Sequence, residues 1–282
     1  MTSSSPTVKR RRLSAALKQA REAAGLSPKE AAARLEWDMT KIHRIERNKW
    51  ARPDLSDIRA LMNLYGITDE RQREALLSLA RESRQRGWWA DYADVFRGSL
   101  PDFEAGASLI RTYEAMLIPG LLQTPDYARA VFRAQVGMMD ESTIERRVAA
   151  RMARQEVLAR ENPPDLLAVI DEAALRRLVG GPAVMRAQIE HLLKVAERPT
   201  IAIQVLPLEA GAHAAIDGGF VILDFPSEED PSLVVQETAT DSLYLETPEE
   251  LHRYTVMFSH VQALALAPEA SARSMESMIR QL

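Results

Sequence analysis

Apolar residues fall at helical spacing in five successive runs before residue 86, each closed by a residue suited to ending a helix. Leu13, Ala16, Leu17, Ala20 and Ala24 form the first run, and Gly25 follows where a left-handed backbone is needed. Ser27 can cap a second helix to about Leu35, with Pro28 in its first turn and Glu30 three residues after the cap. Asp38 can cap a third, ending at Glu46 or Arg47 with Asn48 as the stop. Leu55, Ile58, Leu61, Met62 and Tyr65 mark a fourth before Gly66, and Thr68 can cap a fifth carrying Leu76, Leu77 and Leu79.

Beyond residue 86 the pattern changes. Gly87, Trp88, Trp89 and Tyr92 open a segment, to Leu100, that reads as a helix docking on a new core. An extended piece from Ile110 then turns at Pro119-Gly120 into a helix capped by Thr124. Short apolar runs predict strands over 166–170, 201–206, 220–225 and 233–237. Longer periodic segments predict helices over 143–159, 182–196 and 248–266. The fold class that follows is α+β: a tail over 1–9, an all-α five-helix domain over 10–86, and a larger mixed α+β domain over 87–282.

The second and third helices, separated by a tight corner, have the pattern of a DNA-reading helix-turn-helix. Ala32, Leu35, Ile42 and Ile45 can pack the pair together, which leaves Met39, Thr40, Lys41, His43 and Arg44 to face a groove. Arg44 suits a bidentate pair with guanine, while Met39 and Thr40 suit a thymine methyl or a single hydrogen bond. Ser27, Lys29 and the start of the second helix, with Arg21, Lys49 and Arg52, are placed to hold phosphates.

Charge divides the chain in the same place. The net charge is -4, yet residues 1–86 carry 19 Lys and Arg against 11 Asp and Glu, and residues 87–282 carry 17 against 29. A basic first domain suits a phosphate backbone; an acidic second domain would be repelled by it. The absence of cysteine excludes disulfides and thiolate metal sites and suits a reducing cytoplasm, and a DNA-binding first domain would make the chain nucleoid-associated there. Neither a secretory signal nor a membrane span is expected from the apolar runs.

Residues 26–35, Leu-Ser-Pro-Lys-Glu-Ala-Ala-Ala-Arg-Leu, and 42–48, Ile-His-Arg-Ile-Glu-Arg-Asn, give residues 10–68 a pattern that resembles the Xre or phage-repressor family. The resemblance implies that the opening turn of the third helix reads bases, through Met39, Thr40 and Arg44. Pro28 replaces a glutamine of that family, Glu36 stands where the turn often has glycine, and Asn48 replaces another glycine. The second half resembles a domain of actinobacterial antitoxin-like regulators. Its marks are Gly-Trp-Trp-Ala-Asp-Tyr at 87–92, Ile-Pro-Gly-Leu-Leu-Gln-Thr-Pro-Asp-Tyr-Ala-Arg-Ala at 118–130, Arg-Arg-Val-Ala-Ala-Arg-Met-Ala-Arg-Gln at 146–155, Asp-Glu-Ala-Ala-Leu-Arg-Arg at 171–177 and Leu-Pro-Leu-Glu-Ala-Gly-Ala-His at 206–213. That resemblance implies a small protein partner encoded nearby.

No catalytic constellation is legible. The five histidines are scattered, and His-Glu-x-x-His, a phosphate loop and a Gly-x-Ser-x-Gly elbow are all missing, so neither an enzyme nor a cofactor is expected. The loop over 209–219 holds His213 and Asp217 among glycines, which makes it, with Trp88 and Trp89, the candidate ligand or partner site. The expected function is a sequence-specific regulator of transcription, a repressor acting on double-stranded DNA as a homodimer and gated by a small protein or ligand. A partner-sequestering antitoxin-like protein is the alternative reading, and a small-molecule sensor the third.

Overall fold

Helix caps and apolar faces combine into two cores in the structure, a computed structural model that describes residues 5–50, 52–85, 87–96, 99–135, 139–227, 230–238 and 241–282. The chain divides into two compact units, Met1–Asp91 and Tyr92–Leu282. Its fold is α+β, with helices alone in the first unit and a mixed sheet in the second.

The first unit holds α1 (Pro6–Ala23), α2 (Pro28–Arg34), α3 (Met39–Glu46), α4 (Leu55–Leu64) and α5 (Glu70–Glu82). The expected tail over 1–9 is corrected: Ser5 Oγ accepts from the Val8 N–H, Pro6 occupies the first helical position, and Val8 is buried, so α1 starts four residues earlier. Residues 1–4 lie outside the described ones. The cap of α5 is Asp69, which accepts the Gln72 N–H at 2.7 Å, in place of the expected Thr68. Leu13 and Leu17 of α1, Ile42 and Ile45 of α3, and Ile58, Leu61 and Met62 of α4 meet in one core, each such side chain contributing about 1.5–3 kcal/mol by leaving water.

Helices α1 to α4 end with the same hydrogen-bond pattern. The residue two past each cap donates back five positions: Leu26 to Arg21, Trp37 to Ala32, Lys49 to Arg44, and Ile67 to Met62. The residue before it takes a positive φ, which Gly25 and Gly66 supply freely. Asn48, at φ 52°, takes the same conformation and accepts from Arg10 Nε at 3.0 Å. Glu36, at φ 56°, is the strained member, because its Cβ crowds the carbonyl. Glu36→Gly is therefore expected to stabilise the first unit by about 0.5–1 kcal/mol. All four tryptophans lie in this unit, so urea unfolding followed by tryptophan fluorescence reads the change; a lower midpoint would contradict it.

In the second unit the six-stranded sheet has the order β3-β2-β1-β4-β5-β6, built from β1 (Leu109–Glu114), β2 (Asp165–Asp171), β3 (Ile201–Leu206), β4 (Phe220–Asp224), β5 (Leu233–Glu237) and β6 (Ser242–Leu245). Strands β1, β2 and β3 run parallel; β4, β5 and β6 continue from β1 in antiparallel fashion. Both faces of the parallel part are buried, which is why β2 reads Leu-Leu-Ala-Val-Ile without alternation. The helices are α6 (Leu100–Gly106), α7 (Pro125–Arg133), α8 (Glu141–Gln155), α9 (Glu172–Arg176), α10 (Pro182–Val195), α11 (Pro248–Leu264) and α12 (Pro268–Gln281). The helix expected up to Leu100 is instead a short 3-10 turn over Trp88–Tyr92, and α6 begins only at Leu100.

Candidate nucleic-acid interface

Asp38 starts α3 by accepting the Thr40 N–H at 2.6 Å, and Asn48 turns the chain away after it. Eight residues give just over two turns, with Ile42 and Ile45 buried in the core shared with α1 and α4. Three polar ties fix this helix and the turn after it to α1. Arg21 donates to both Glu46 carboxylate oxygens at 2.6 and 3.0 Å, Arg10 reaches Asn48, and Trp50 Nε1 donates to Ser14 Oγ at 3.0 Å. A helix so held can present side chains without paying for loop disorder at the moment of binding.

The side chains it presents form a stripe at helical spacing: Thr40, His43, Arg44 and Arg47. Thr40, Arg44 and Arg47 are exposed and His43 is half-buried, with Met39, 46% exposed, at the start of the helix. Arg47 was not among the expected contacts, yet it stands one turn beyond His43 and the period alone could have found it. Beside the stripe, Lys41, Arg44, Lys49 and Arg52 line a cleft of about 260 Å³ with Ile45, Trp50, Asp54 and Asp57. Lys49 and Arg52 are exposed at its rim.

Several expected contacts take other roles. Arg21 is not available to a phosphate: it is buried, its guanidinium is filled by Glu46 and the Leu26 carbonyl, and Glu46 holds its pKa above the usual value. Ser27 and the start of α2 are likewise occupied. Ser27 Oγ accepts the Glu30 N–H while Glu30 Oε2 accepts from the Ser27 N–H at 2.8 Å, which places a carboxylate where an anion would bind. Lys29 is exposed next to it. Lys41 donates to Asp57 Oδ1 at 2.7 Å and lies 3.7 Å over the Trp37 ring, so its charge is largely answered within the unit.

In the second unit the loop over 207–219 is fastened down. The Ala215 N–H donates to His213 Nδ1 at 3.3 Å, which leaves the His213 proton on Nε2, 3.3 Å from the Tyr113 hydroxyl. Tyr113 donates in turn to Asp171 Oδ2 at 3.3 Å, and burial together with Asp171 raises its pKa. His213 is thus a buried anchor of the core and not a group offered to a ligand, a correction to the expected loop site, whereas Asp217 is exposed. Trp88 and Trp89 belong to the first unit, where their rings meet edge to face at 6.0 Å.

The characteristic strings of the second half build a polar network around the turn over Gly120–Leu122. Arg151 donates to Gln123 Oε1 at 2.7 Å, Gln155 donates to the Gly120 and Gln123 carbonyls, and Gln188 donates to the Leu122 carbonyl. Arg154 closes on Glu104 with two bonds of 2.6 and 2.7 Å. Burial and Glu237 push the nearby Glu114 carboxyl up to about 7. Among the described residues no group of three or more His, Asp or Glu is arranged to hold a metal ion, and no helix is long and apolar enough to cross a membrane.

Residues 12–76 match a family described as a helix-turn-helix domain, and residues 98–277 match one described as a domain of unknown function, DUF5753. No curated protein and no solved structure matches the chain.

Proposed function

The chain belongs to the DUF5753 family, and we propose that it is a sequence-specific DNA-binding regulator of transcription of the Xre type, acting as a dimeric repressor gated through its second unit. The observation that carries this reading is the stripe Thr40, His43, Arg44 and Arg47 on a helix tied to its own core by Arg21, Arg10 and Trp50. Phosphate contacts fall to Lys49, Arg52 and Lys29, and base contacts to Arg44, Met39 and Thr40. The activity is binding alone, with no catalytic step assigned.

Selection of DNA fragments by the full chain, followed by fluorescence anisotropy at two salt concentrations, tests the reading. Arg44→Ala is expected to weaken the selected site by about 1–3 kcal/mol and to relax choice at one base pair, leaving random DNA nearly unaffected. Lys49→Ala is the control, and weakens both alike with a shallower salt slope. Equal losses on selected and random DNA for Arg44→Ala would refute base reading by that residue.

A second reading, an antitoxin-like protein that sequesters a small partner, draws on a separate feature. Met116, Leu178, Leu208 and Ile216 are exposed on the connections that follow β1, β2 and β3, the end of a parallel sheet at which binding sites gather. Co-purification of a small neighbouring protein that is lost with Leu208→Glu would favour it.

A further inference from the structure

Tyr113 packs beside Phe220 in the core that holds Phe258 of α11, so its neighbours Thr112 and Glu114 stand on the opposite face of the sheet. On that face the strand register sets Thr112 beside Val221, then Val235 and Tyr244, and the next row along holds Glu114, Gly219 and Glu237. Helix α8 adds Arg151 and Arg154, whose charges are felt at Glu114. Depth increases through this layer: Glu237 is exposed, Glu114 is half-buried, and Thr112 is buried. A Cβ on residue 219 would stand 3.1 Å from Glu114 Oε2, so glycine there leaves the carboxyl room to lie over the sheet.

Arg154 is answered by Glu104, but the other charges of this layer are left open. Among the described residues no hydrogen bond reaches the Glu114 or the Glu237 carboxylate, and Arg151 gives only one, to Gln123, while burial draws its pKa down to about 10. Thr112 Oγ1 is, among the described residues, the one buried side-chain polar atom without a hydrogen bond. A buried hydroxyl with no bond costs stability, and a fold that retains one holds it ready for something else. We propose that this layer binds a small molecule of α-amino-acid size that carries both an ammonium and a carboxylate: the ammonium between Glu114 and Glu237, the carboxylate on Arg151, and Thr112 Oγ1 bonded to the deeper end. Opposite charges that face one another without touching are what such a molecule bridges, through charge-assisted hydrogen bonds at each end. Thr112 and Glu114 are two residues apart on one strand, about 7 Å, a span that an amino acid fits. A metal ion is the poorer occupant, because the carboxylates are not gathered as ligands and two guanidiniums stand beside them. The role of this site as a gate rests on the regulator reading; the site itself does not.

Titration calorimetry of the full chain without DNA, against each of the common L-amino acids at pH 8, tests this. At least one is expected to bind with a dissociation constant below about 1 mM, and its N-acetyl derivative and its decarboxylated amine at least about tenfold more weakly. Glu114→Gln and Thr112→Val are each expected to weaken that binding about tenfold, while their thermal melts without amino acid equal or exceed the wild type, since each removes a buried polar group that has no hydrogen bond. From pH 8 to pH 6 wild-type affinity is expected to fall about tenfold, because a proton then takes the Glu114 carboxyl, which lies at about 7 among Glu237, Arg151 and Arg154, and displaces the ammonium. No binding of any amino acid at about 10 mM, binding untouched by both variants, or an amine that binds as tightly as its parent amino acid would overturn the proposal. Amino-acid binding by a chain that binds no DNA would overturn the regulator reading and leave this site standing.

Discussion

Arg154→Ala is expected to destabilise the second unit by about 3–5 kcal/mol, the loss that follows when one partner of a buried ion pair is removed. Glu104 is 2% exposed and Arg154 11%, and the two meet through a pair of parallel hydrogen bonds. Alanine would strand the Glu104 carboxylate away from water without the cation that hydrogen-bonds both its oxygens, leaving only the more distant Arg151 to answer it. The same guanidinium lies 3.5 Å from where a Cβ on Gly120 would stand, so it also packs the turn that leads into α7. Replacing both partners, as Glu104→Met with Arg154→Met, is expected to recover most of the loss, because two apolar side chains leave no charge behind. Far-UV circular dichroism in urea follows this unit, while tryptophan fluorescence follows the first and stays unchanged. A loss below about 1 kcal/mol would mean that water reaches the pair and answers the stranded charge.

Arg21→Ala separates a structural arginine from a DNA contact. Expected is a loss of about 3–5 kcal/mol in the first unit, a large part of the roughly 5–15 kcal/mol that holds an ordinary domain together. Both Arg21 and Glu46 side chains are 7% exposed, and the ion pair spans α1 and α3. DNA binding falls with the fold, which by itself would look like removal of a phosphate contact. The double replacement Arg21→Met with Glu46→Met resolves the two. If Arg21 serves the fold, the pair of methionines restores both the urea midpoint and DNA affinity. Restored folding with affinity still lost, together with a shallower salt slope, would return Arg21 to the phosphate-binding set.

Among the corrected residues, Arg21 and Ser27 share one cause. A sequence shows that a side chain is charged or polar and where it falls on its own helix. It does not show which residue of another element consumes its hydrogen bonds. Glu46 lies 25 positions from Arg21, and Glu30, only three from Ser27, was legible as a capping partner but not as a barrier to an anion. His213 was hidden in the same way, 100 positions from the Tyr113 hydroxyl it meets. Arg47 is the opposite case, since the stripe that contains it continues the period that runs through Thr40 and Arg44.

Local sequence was enough for the five N-terminal helices, the corner between α2 and α3, the identity of Ile42 and Ile45 as core, and, after residue 108, strands β1 to β5 with helices α7, α8, α10 and α11, but not the short α9 or the C-terminal α12. These depend on caps, apolar period and turn residues, which act over a few positions. Long-range packing alone set the strand order β3-β2-β1-β4-β5-β6, the short edge strand β6, and the division of polar residues between the surface and buried partners. Strand order and ion pairing join residues far apart in the chain, and their energy comes from burial that no local window contains.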